Sequence, residues 1–309
     1  MYIGIDVGGT NTKFGLITAE GLVVKKAMIP TNHEKEPFIE DLLQIISNYQ
    51  QEYPDIQGVG ISAPGIIKED GYLLTAGAIK PLYGTHLQAI IQERVHLPVK
   101  VENDANAAAI AERWIGNAQG MSNYLCLVLG TGIGGGIVAN GQVYRGFNGM
   151  AGEFGWMLLD RLPLTGDLET VSLNQRGAVV GGLCHQYQLA LEAAGSKLQP
   201  VADAEEIIRR ADAGEILASE VLANFYRDLA IGLLNLIACF DPEAILIGGG
   251  ISANEAFMQR LKATLAELTL RHQSLAYLQG IIENNILPTK LGNDAGMIGA
   301  VYQLRQASL

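Results

Sequence analysis

The sequence predicts an α/β fold built from two related halves. Short apolar runs, typical of buried strands, alternate along the chain with longer segments whose apolar residues recur at helical spacing. A strand, a turn rich in glycine and threonine, and a returning strand occur at residues 1–17 and again at residues 124–144. The length of 309 residues also favours two domains or lobes over a single core.

The elements of the first half are each predicted from a local pattern. Apolar residues recur at helical spacing over 36–52, which indicates an amphipathic helix. The alanine-rich stretch 105–116 favours a helix because alanine has the highest helix propensity. The predicted elements are strands at 1–7, 13–17, 22–30, 58–65 and 99–104, and helices at 36–52, 87–95 and 105–116.

The second half repeats the opening pattern and adds a third glycine-rich turn. The apolar stretch 228–250 is interrupted by polar residues and a proline, so it predicts a buried helix, a turn and a buried strand rather than a membrane span. Ser252 and Glu255 have the spacing of a capping box, which predicts a helix running to about residue 270. The remaining elements are strands at 124–144 and 243–252 and helices at 205–213, 215–240 and 291–304.

The composition predicts an acidic protein of the cytoplasm. The chain has 21 basic and 32 acidic side chains and a net charge of −11, which disfavours binding to nucleic acid or to an anionic membrane. Cys126, Cys184 and Cys239 are far apart and form no CxxC pair, which argues against a disulfide framework. The N-terminus lacks the pattern of a secretory signal, so we expect a cytoplasmic protein.

The glycine-rich turns suggest binding of an anion. Glycine lets backbone N–H groups approach an anion closely, and consecutive N–H groups form an anion-binding concavity. Asp6 beside the first turn would repel a bare phosphate, so its position makes sense if Mg²⁺ lies between the carboxylate and the phosphates. The alternative is that these are ordinary hairpin turns and that Asp6 caps its own loop.

Several carboxylates are candidates for chemistry or for binding. Asp104 is predicted at the carboxyl end of a strand and the N-terminus of a helix, where the helix dipole favours its ionised form. It could accept a proton from a hydroxyl that attacks a γ-phosphate, or it could simply be a helix N-cap. Glu153 and Glu169 lie in polar turns that suit recognition of vicinal sugar hydroxyls and equally suit solvated loops, and Asn103 is open to the same two interpretations.

Taken together, these segments resemble the ROK family of sugar kinases and repressors, which has the actin-like ATPase fold. The resemblance extends over nearly the whole chain and keeps the order of the motifs. The matching segments are DVGGT (6–10), SAPG (62–65), ENDANAAA (102–109), LGTGIGGGIV (129–138), AGEFG (151–155), DPEAILIGGGIS (241–252) and LGNDAGMIGA (291–300).

The resemblance implies a domain organisation. It implies two actin-like, ribonuclease H-like α/β lobes with an active-site cleft between them. The smaller lobe would comprise residues 1–117, the larger one would comprise 118–292, and a C-terminal helix at about 293–309 would pack back on the first. Family members often dimerise, so a homodimer is expected from the resemblance alone.

The resemblance also implies a reaction: ATP, with Mg²⁺, would phosphorylate a hexose hydroxyl, most simply O6. Asp104 would be the catalytic base, and Asp6 would lie near Mg²⁺ through the phosphates or water. The sugar would be bound by Gly65, Asn103, Asp104, Glu153, Trp156 and Glu169. The nucleotide would be bound by Asp6, Gly8, Gly9, Thr10, Thr12, Lys13, Thr131, Gly132, Gly249 and Gly250.

One departure from the family pattern concerns a zinc site. Where the family has a histidine followed by a cysteine-rich zinc cluster, this chain has Trp156, and residues 157–168 contain no cysteine or histidine. We therefore expect no structural zinc. Trp156 either presents an aromatic face to a β-glucoside or an N-acetylated hexosamine such as N-acetylmannosamine, or only fills the space left by the zinc cluster.

The competing functional class within the family is regulatory. A repressor would carry a DNA-binding helix-turn-helix ahead of the first strand, whereas here that strand is predicted from Tyr2, so we expect no DNA binding. A sugar sensor without catalysis would keep Glu153 and Glu169 but could lose Asp104 or a phosphate turn. Because both are present, the sequence favours a kinase acting on glucose, a β-glucoside or an N-acetylhexosamine.

Overall fold

The computed structural model describes residues 1–201 and 203–307, which form two compact units. The first unit contains Met1–Ser122, Gly136–Gly152 and the segment from Asn293. The second contains Asn123–Gly135 and Glu153–Gly292. Residues 308 and 309 of the predicted closing helix lie outside the described residues.

The strands alternate with helices along the chain, as the sequence predicts. The strands are β1 (Tyr2–Val7), β2 (Asn11–Ile17), β3 (Val23–Pro30), β4 (Val59–Ala63), β5 (Tyr72–Leu73), β6 (Thr85–His86), β7 (Val99–Asn103), β8 (Tyr124–Leu129), β9 (Ile133–Ala139), β10 (Gln142–Val143), β11 (Ala244–Gly248) and β12 (Ile286–Pro288). The helices are α1 (Lys35–Glu52), α2 (Leu87–Val95), α3 (Asp104–Ile115), α4 (Leu173–Gly177), α5 (His185–Ala193), α6 (Ala204–Asp212), α7 (Ile216–Phe240), α8 (Glu255–Arg271) and α9 (Ala295–Ala307).

Two five-stranded sheets with the same topology confirm the predicted duplication. The first has the order β3-β2-β1-β4-β7 and the second the order β10-β9-β8-β11-β12. In the first, β1, β2 and β3 form an antiparallel meander, and β4 and β7 continue the sheet in parallel with β1. The second sheet adds β11 and β12 in parallel with β8 in the same way. Parallel neighbours place their carboxyl ends at one edge of each sheet.

The core of the first unit lies between its sheet and the helices that cover it. Helix α1 buries the apolar side chains that predicted it, including Phe38, Leu42 and Ile46. Helix α9 packs against β1, β4 and α3. A Cβ atom on Gly299 of α9 would collide with the backbone of Ala107 in α3, so the absence of a side chain there permits the close approach of the two helices.

The long apolar stretch of the second unit forms the helix, turn and strand predicted for it. Helix α7 is long and apolar enough to span a membrane by length and composition, a criterion that core helices of water-soluble proteins also meet. It buries Phe225, Leu229 and Leu233 and packs against α6 and α8. Asp241 then turns the chain in a left-handed conformation, with φ 42°, into the fully buried strand β11. We therefore interpret α7 as a core helix.

One helix boundary differs from the prediction. The capping box at Ser252 and Glu255 does not form, because Asn254 is the N-cap of α8 and its side chain accepts a hydrogen bond from the N–H of Phe257. The Ser252 hydroxyl instead donates to the carbonyl of Gly249 at 2.8 Å. Asparagine is as strong an N-cap as serine, and only it lies directly before the first helical residue.

The packing of α9 predicts unequal effects for two helical glycine substitutions. Gly299→Ala places a methyl group against the Ala107 backbone, so we expect a loss of about 1–3 kcal/mol in the free energy of unfolding. Gly232→Ala in α7 places its methyl group against the terminal methyl groups of the buried Leu173, which can shift at a lower cost than a backbone carbonyl. The gain in helix propensity then offsets the contact, leaving a change below about 1 kcal/mol. Chemical denaturation measures both values, and equal losses would contradict the packing argument.

Candidate active site

In the first unit, the predicted catalytic and metal-associated residues lie along the carboxyl edge of the sheet. Asp6 on β1 pairs in register with Ser62 on β4, and Ala63 pairs with Asn103, the last residue of β7. Asp104 follows as the first residue of α3. Ligands of open α/β sheets bind beyond the carboxyl ends of parallel strands, so this edge is a candidate active site.

Asp6 is a partly buried carboxylate held by its neighbours. The hydroxyl of Ser62 donates to its Oδ1 at 2.9 Å, and the Nζ of Lys13 lies 4.0 Å from its Oδ2. Burial raises the pKa of Asp6, whereas Ser62 and Lys13 oppose that rise and the charge of Asp294 adds to it. A further cation would favour the ionised form.

The Asp6 carboxylate and the neighbouring Ser62 hydroxyl are oxygen groups of the kind that Mg²⁺ prefers. No group of three or more histidine, cysteine or acidic side chains is arranged for a metal ion anywhere in the part of the chain that the structure describes. Mg²⁺ is commonly held by one or two carboxylates together with substrate phosphates and water. Asp6 supplies such a carboxylate. Burial raises its pKa, and a bound cation would lower that pKa again.

The turn after β1 is stabilised by hydrogen bonds from two threonine hydroxyl groups. The Thr31 hydroxyl donates to the carbonyl of Gly8 at 2.7 Å, so the hydrogen bond of 3.0 Å between the hydroxyls of Thr12 and Thr31 uses the proton of Thr12. Thr12 is buried and cannot donate a second hydrogen bond, and we therefore assign it to supporting the turn. Gly9 and Thr10 are exposed at the tip, where they can meet a ligand.

Asp104 is not the cap of its helix. The N-cap of α3 is Asn103, whose Oδ1 accepts a hydrogen bond from the N–H of Asn106 at 3.0 Å. The Nδ2 of Asn103 donates to Oδ1 of Asp104 at 3.0 Å and to the carbonyl of Gly65 at 2.9 Å. Asp104 is exposed, and its Oδ1 also accepts from the N–H of Ala105 at 2.8 Å. Its carboxylate is therefore oriented at a helix N-terminus, as a general base requires.

Behind Asn103 lies a buried carboxylate that the sequence interpretation did not single out. Glu102 is 2% exposed and accepts hydrogen bonds from Arg145 and Gln303 through Oε2. Its Oε1 accepts from the backbone N–H of Asn103 at 3.0 Å and from the side chain of Asn106 at 3.2 Å. A signal was available, because a glutamate in an otherwise apolar strand must be paired if it is buried.

In the second unit, the predicted phosphate turn lies between β8 and β9. Thr131 and Gly132 are exposed at its tip. The Gly130 N–H donates to the carbonyl of Gly132 at 3.0 Å, and the N–H groups of Val179 and Val180 each donate to the Gly130 carbonyl at 3.1 Å. The turn is thus held by the π-helical segment Val179–Cys184, which the sequence did not predict.

The glycines assigned to the nucleoside lie beside that turn. Gly249 has φ 93°, and a Cβ atom on it would collide with the carbonyl of Leu129, the last residue of β8. Only glycine tolerates both constraints. Gly250 has open space at its Cβ position. The carboxyl ends of the parallel strands β8 and β11 thus bring together two segments that the sequence assigned to one nucleotide.

The sugar-associated residues of this unit lie in two turns. Glu153 is partly buried and precedes the 3₁₀ turn Phe154–Trp156, and burial raises the pKa of its carboxyl group. The Trp156 side chain is 48% exposed. Glu169 is exposed, and its Oε2 accepts a hydrogen bond of 2.9 Å from the buried hydroxyl of Ser172. Both carboxylates can therefore accept hydrogen bonds from a polar ligand.

Ser62, Ser172 and Asn174 are further site residues that the sequence did not reveal. Ser62 and Asn174 each contact a residue distant in sequence, whereas Ser172 contacts Glu169 only three residues away, in a turn whose hydrogen bonds no short motif identifies. The clearest example is Asn174, whose Oδ1 accepts from the N–H of Ile133 in the phosphate turn at 2.8 Å. The serine of SAPG was quoted as part of a motif, but its contact with Asp6 became evident only from the pairing of β1 with β4.

The raised pKa of Glu153 predicts that Glu153→Gln stabilises the unliganded protein at pH 7. Burial penalises the charged form of the carboxyl group. Its contribution to stability is therefore complete below its unfolded pKa of about 4.5 and is lost as pH rises through its higher pKa in the folded protein. The advantage of glutamine should be present at pH 7 and absent at pH 4. Thermal unfolding at both pH values measures it.

Glu206→Gln is the control of opposite sign. Arg209 and Arg210 lower the pKa of Glu206 to about 2, so its carboxylate stabilises the fold at neutral pH and the amide should not. An increase in Tm at pH 7 for Glu206→Gln, or a decrease for Glu153→Gln, would contradict the assigned environments.

Comparison with known proteins places this geometry in a family. The model of the ROK family matches residues 2–307. A β-glucoside kinase from Klebsiella pneumoniae is 37% identical over 97% of this chain and 95% of its own length, and a glucokinase from Halalkalibacterium halodurans is 35% identical over 99% and 95%. The structure of a ROK family glucokinase from Streptomyces griseus in complex with glucose and AMPPNP matches with a TM-score of 0.80, at 28% identity over 99% of each chain. These similarities confirm the predicted actin-like fold class, and the chain belongs to the ROK family.

Proposed function

We propose that this protein is an ATP-dependent sugar kinase that transfers the γ-phosphoryl group to a hexose hydroxyl, most simply O6. The position of Asp104 carries the proposal. Its carboxylate is exposed at the N-terminus of α3, while Asn103 performs the capping role that would otherwise explain an aspartate there. The kinase activity of the family relatives supports this assignment.

In the proposed reaction, Asp104 accepts the proton of the sugar hydroxyl as its oxygen attacks the γ-phosphorus. The new bond joins this oxygen to phosphorus, the bond from phosphorus to the β–γ bridging oxygen breaks, and ADP leaves. Phosphoryl transfer depends mainly on positioning and charge stabilisation, so one oriented base is sufficient protein chemistry at the attacking side. The hydrogen bonds from Asn103 and Ala105 fix one oxygen of that base.

The nucleotide is assigned to the glycine-rich turns. Backbone N–H groups at Gly9, Thr10, Thr131 and Gly132 would bind phosphate oxygens, and Gly249 and Gly250 would lie near the nucleoside. Mg²⁺, when bound beside Asp6, would neutralise charge on the transferred phosphate. Lys13, half-buried near Asp6, supplies a further positive charge for the phosphates.

The sugar is assigned to Asn103, Asp104, Glu153 and Glu169, with Gly65 shaping the pocket through its hydrogen bond to Asn103. We further propose that the substrate is a β-glucoside rather than free glucose. Trp156 is the last residue of the 3₁₀ turn that Glu153 precedes, and about half of its surface is exposed. A side chain that only filled space would be buried, whereas an exposed indole offers a face on which a second sugar ring or an aglycone can stack.

The cellular context of the proposal follows from the same chemistry. ATP and phosphorylated sugars are cytoplasmic metabolites, which agrees with the expected location of this acidic chain. The expected homodimer is an assumption from the family. A non-catalytic sugar sensor is the alternative, and the activity measurement distinguishes it from an enzyme.

Replacing the proposed base should abolish turnover while the fold persists. Asp104→Asn keeps the size of the side chain but removes its basicity, so we expect kcat to fall by about 10²–10⁴. A coupled assay of ADP release measures this with Mg-ATP and glucose, mannose, fructose, N-acetylmannosamine, N-acetylglucosamine, cellobiose and a simple β-glucoside.

Asp55→Asn, an exposed aspartate in the loop before β4, is the matched control and should keep full activity. Near-normal turnover in Asp104→Asn would contradict the role of the base. No turnover with any sugar in the folded unmodified protein would favour the sensor.

The proposed role of Trp156 predicts a change in substrate preference. Trp156→His replaces the broad indole face with a smaller and more polar imidazole ring, so kcat/KM for cellobiose should fall about 10-fold or more relative to kcat/KM for glucose. The ratio of the two values is the measurement, because it cancels any general loss of activity. An unchanged ratio would leave Trp156 as a space-filling residue. Leu164→Ala, which truncates a fully exposed apolar side chain in the same region, is the control.

A further inference from the structure

The segment Ser172–Gly181 contacts both predicted ligand-binding regions of the second unit. Its first residues lie against the turns that carry Glu153 and Glu169, and its last residues lie against the phosphate turn. It comprises α4 and the beginning of the π-helical segment. No residue of this segment belongs to the motifs that predicted the function.

The side chain of Asn174 lies at the centre of these contacts. Its Oδ1 accepts the N–H of Ile133, the residue that follows Gly132, at 2.8 Å. A Cβ atom on Gly132 would be 3.2 Å from the same oxygen, and one on Gly155 would collide with it. The amide therefore occupies space left by two glycines, one from the phosphate turn and one from the turn after Glu153.

On the sugar side, the residues before Asn174 continue this contact. The Ser172 hydroxyl donates to Glu169, and the N–H of Leu173 donates to the carbonyl of Met157 at 2.8 Å. Met157 ends the turn that begins at Glu153. A sugar that holds the two glutamates in place would therefore also hold the backbone of the segment that carries Asn174.

On the phosphate side, backbone N–H groups of the residues after Asn174 donate hydrogen bonds to carbonyl groups of the phosphate turn. Val179 and Val180 donate to Gly130, and Gly181 donates to Thr131 at 3.0 Å. Together with the bond from Ile133 to Asn174, these contacts determine the conformation of the exposed tip at Thr131 and Gly132. The less these contacts fluctuate, the less conformational entropy the tip loses when it binds phosphate.

We propose that Asn174 is a positioning residue that couples sugar binding to nucleotide binding. This inference rests on the proposed function and adds a thermodynamic link between its two substrates. Sugar bound by Glu153 and Glu169 orders the turn at Gly155, Asn174 transmits that order to Ile133, and the phosphate turn then binds ATP more tightly. The coupling is reciprocal, so the nucleotide tightens sugar binding by the same factor.

A merely structural role for Asn174 has different consequences. Loss of the amide would then lower stability or weaken each ligand independently, and the ratio between nucleotide affinities with and without sugar would not change. The decisive quantity is therefore this ratio rather than any single affinity or rate.

The test measures the Kd of a non-hydrolysable ATP analogue with Mg²⁺ by calorimetry, with and without a saturating concentration of the sugar from the assay panel that binds most tightly. In the unmodified protein, the sugar should lower this Kd by about fivefold or more. In Asn174→Ala the ratio should fall below about twofold, because the N–H of Ile133 loses its acceptor and Gly155 loses its contact.

Two further variants separate the coupling from a loss of structure. Asn174→Asp keeps an acceptor for Ile133, so the ratio should remain near that of the unmodified protein even where the added charge weakens nucleotide binding in both states. Gln188→Ala removes an exposed amide of α5 that donates a hydrogen bond to Glu192 of the same helix, and it should change neither affinity. Thermal unfolding verifies that every variant is folded.

An unmodified protein that binds the nucleotide equally with and without sugar overturns the inference, as does an Asn174→Ala variant that keeps the full ratio. The failure of the proposed function is a separate result. It would appear as absence of ADP release in protein that still binds sugar and nucleotide, and the affinity ratio would still test the coupling.

Discussion

The first unit depends on one buried charge. Glu102 is almost completely removed from water, and an unpaired carboxylate in that position would cost several kcal/mol. Its oxygens are instead satisfied by four donors, which come from the β7–α3 junction, from Arg145 and from Gln303 of α9. Each donor must be in place for the charge to be tolerated, so the need to satisfy Glu102 fixes the backbone from which Asn103 and Asp104 project.

In the second unit, Asp228 is buried and pairs with Arg176 of α4, but the turns themselves are connected by uncharged groups. There, a neutral amide and several backbone hydrogen bonds connect the turns assigned to sugar and phosphate. An amide has a smaller desolvation cost than a carboxylate, so it constrains the turns less strongly. A buried carboxylate thus holds the candidate base of the first unit, whereas a neutral amide holds the candidate phosphate turn of the second.

In both units, the candidate functional residues lie at the carboxyl ends of parallel strands. The two sheets share a strand order, yet their carboxyl edges carry different chemistry. Asp6 and Asp104 lie at the edge of the first, and glycines lie at the corresponding ends of β8 and β11 in the second. A common topology thus carries carboxylates at this edge in one unit and glycine-rich backbone in the other, because strand order fixes position while the side chains fix chemistry.

The sequence by itself determined the class of fold, most of the elements and the motifs that indicate the family. Helical periodicity, buried strands and glycine turns are local signals, so helices such as α1 and α2 were predicted to within a residue or two. Short elements were missed, including β12 and the π-helical segment, because they contain too few residues for a period to be recognised. The cap of α8 was misplaced for a related reason, since Ser252 and Asn254 are both good caps and local sequence does not choose between them.

Only the tertiary structure decided which polar residues support the site. Pairing of β1 with β4 brings Ser62 to Asp6, and folding of the chain brings Asn174 to Ile133, partners that are separated by 56 and 41 residues. Other contacts decided between alternatives that the sequence left open, since Asn103, not Asp104, caps α3, and they show that Thr12 donates its hydroxyl proton to Thr31. A hydroxyl or amide can serve as a cap, a support or a ligand, and the groups that the fold places beside it determine which of these it becomes.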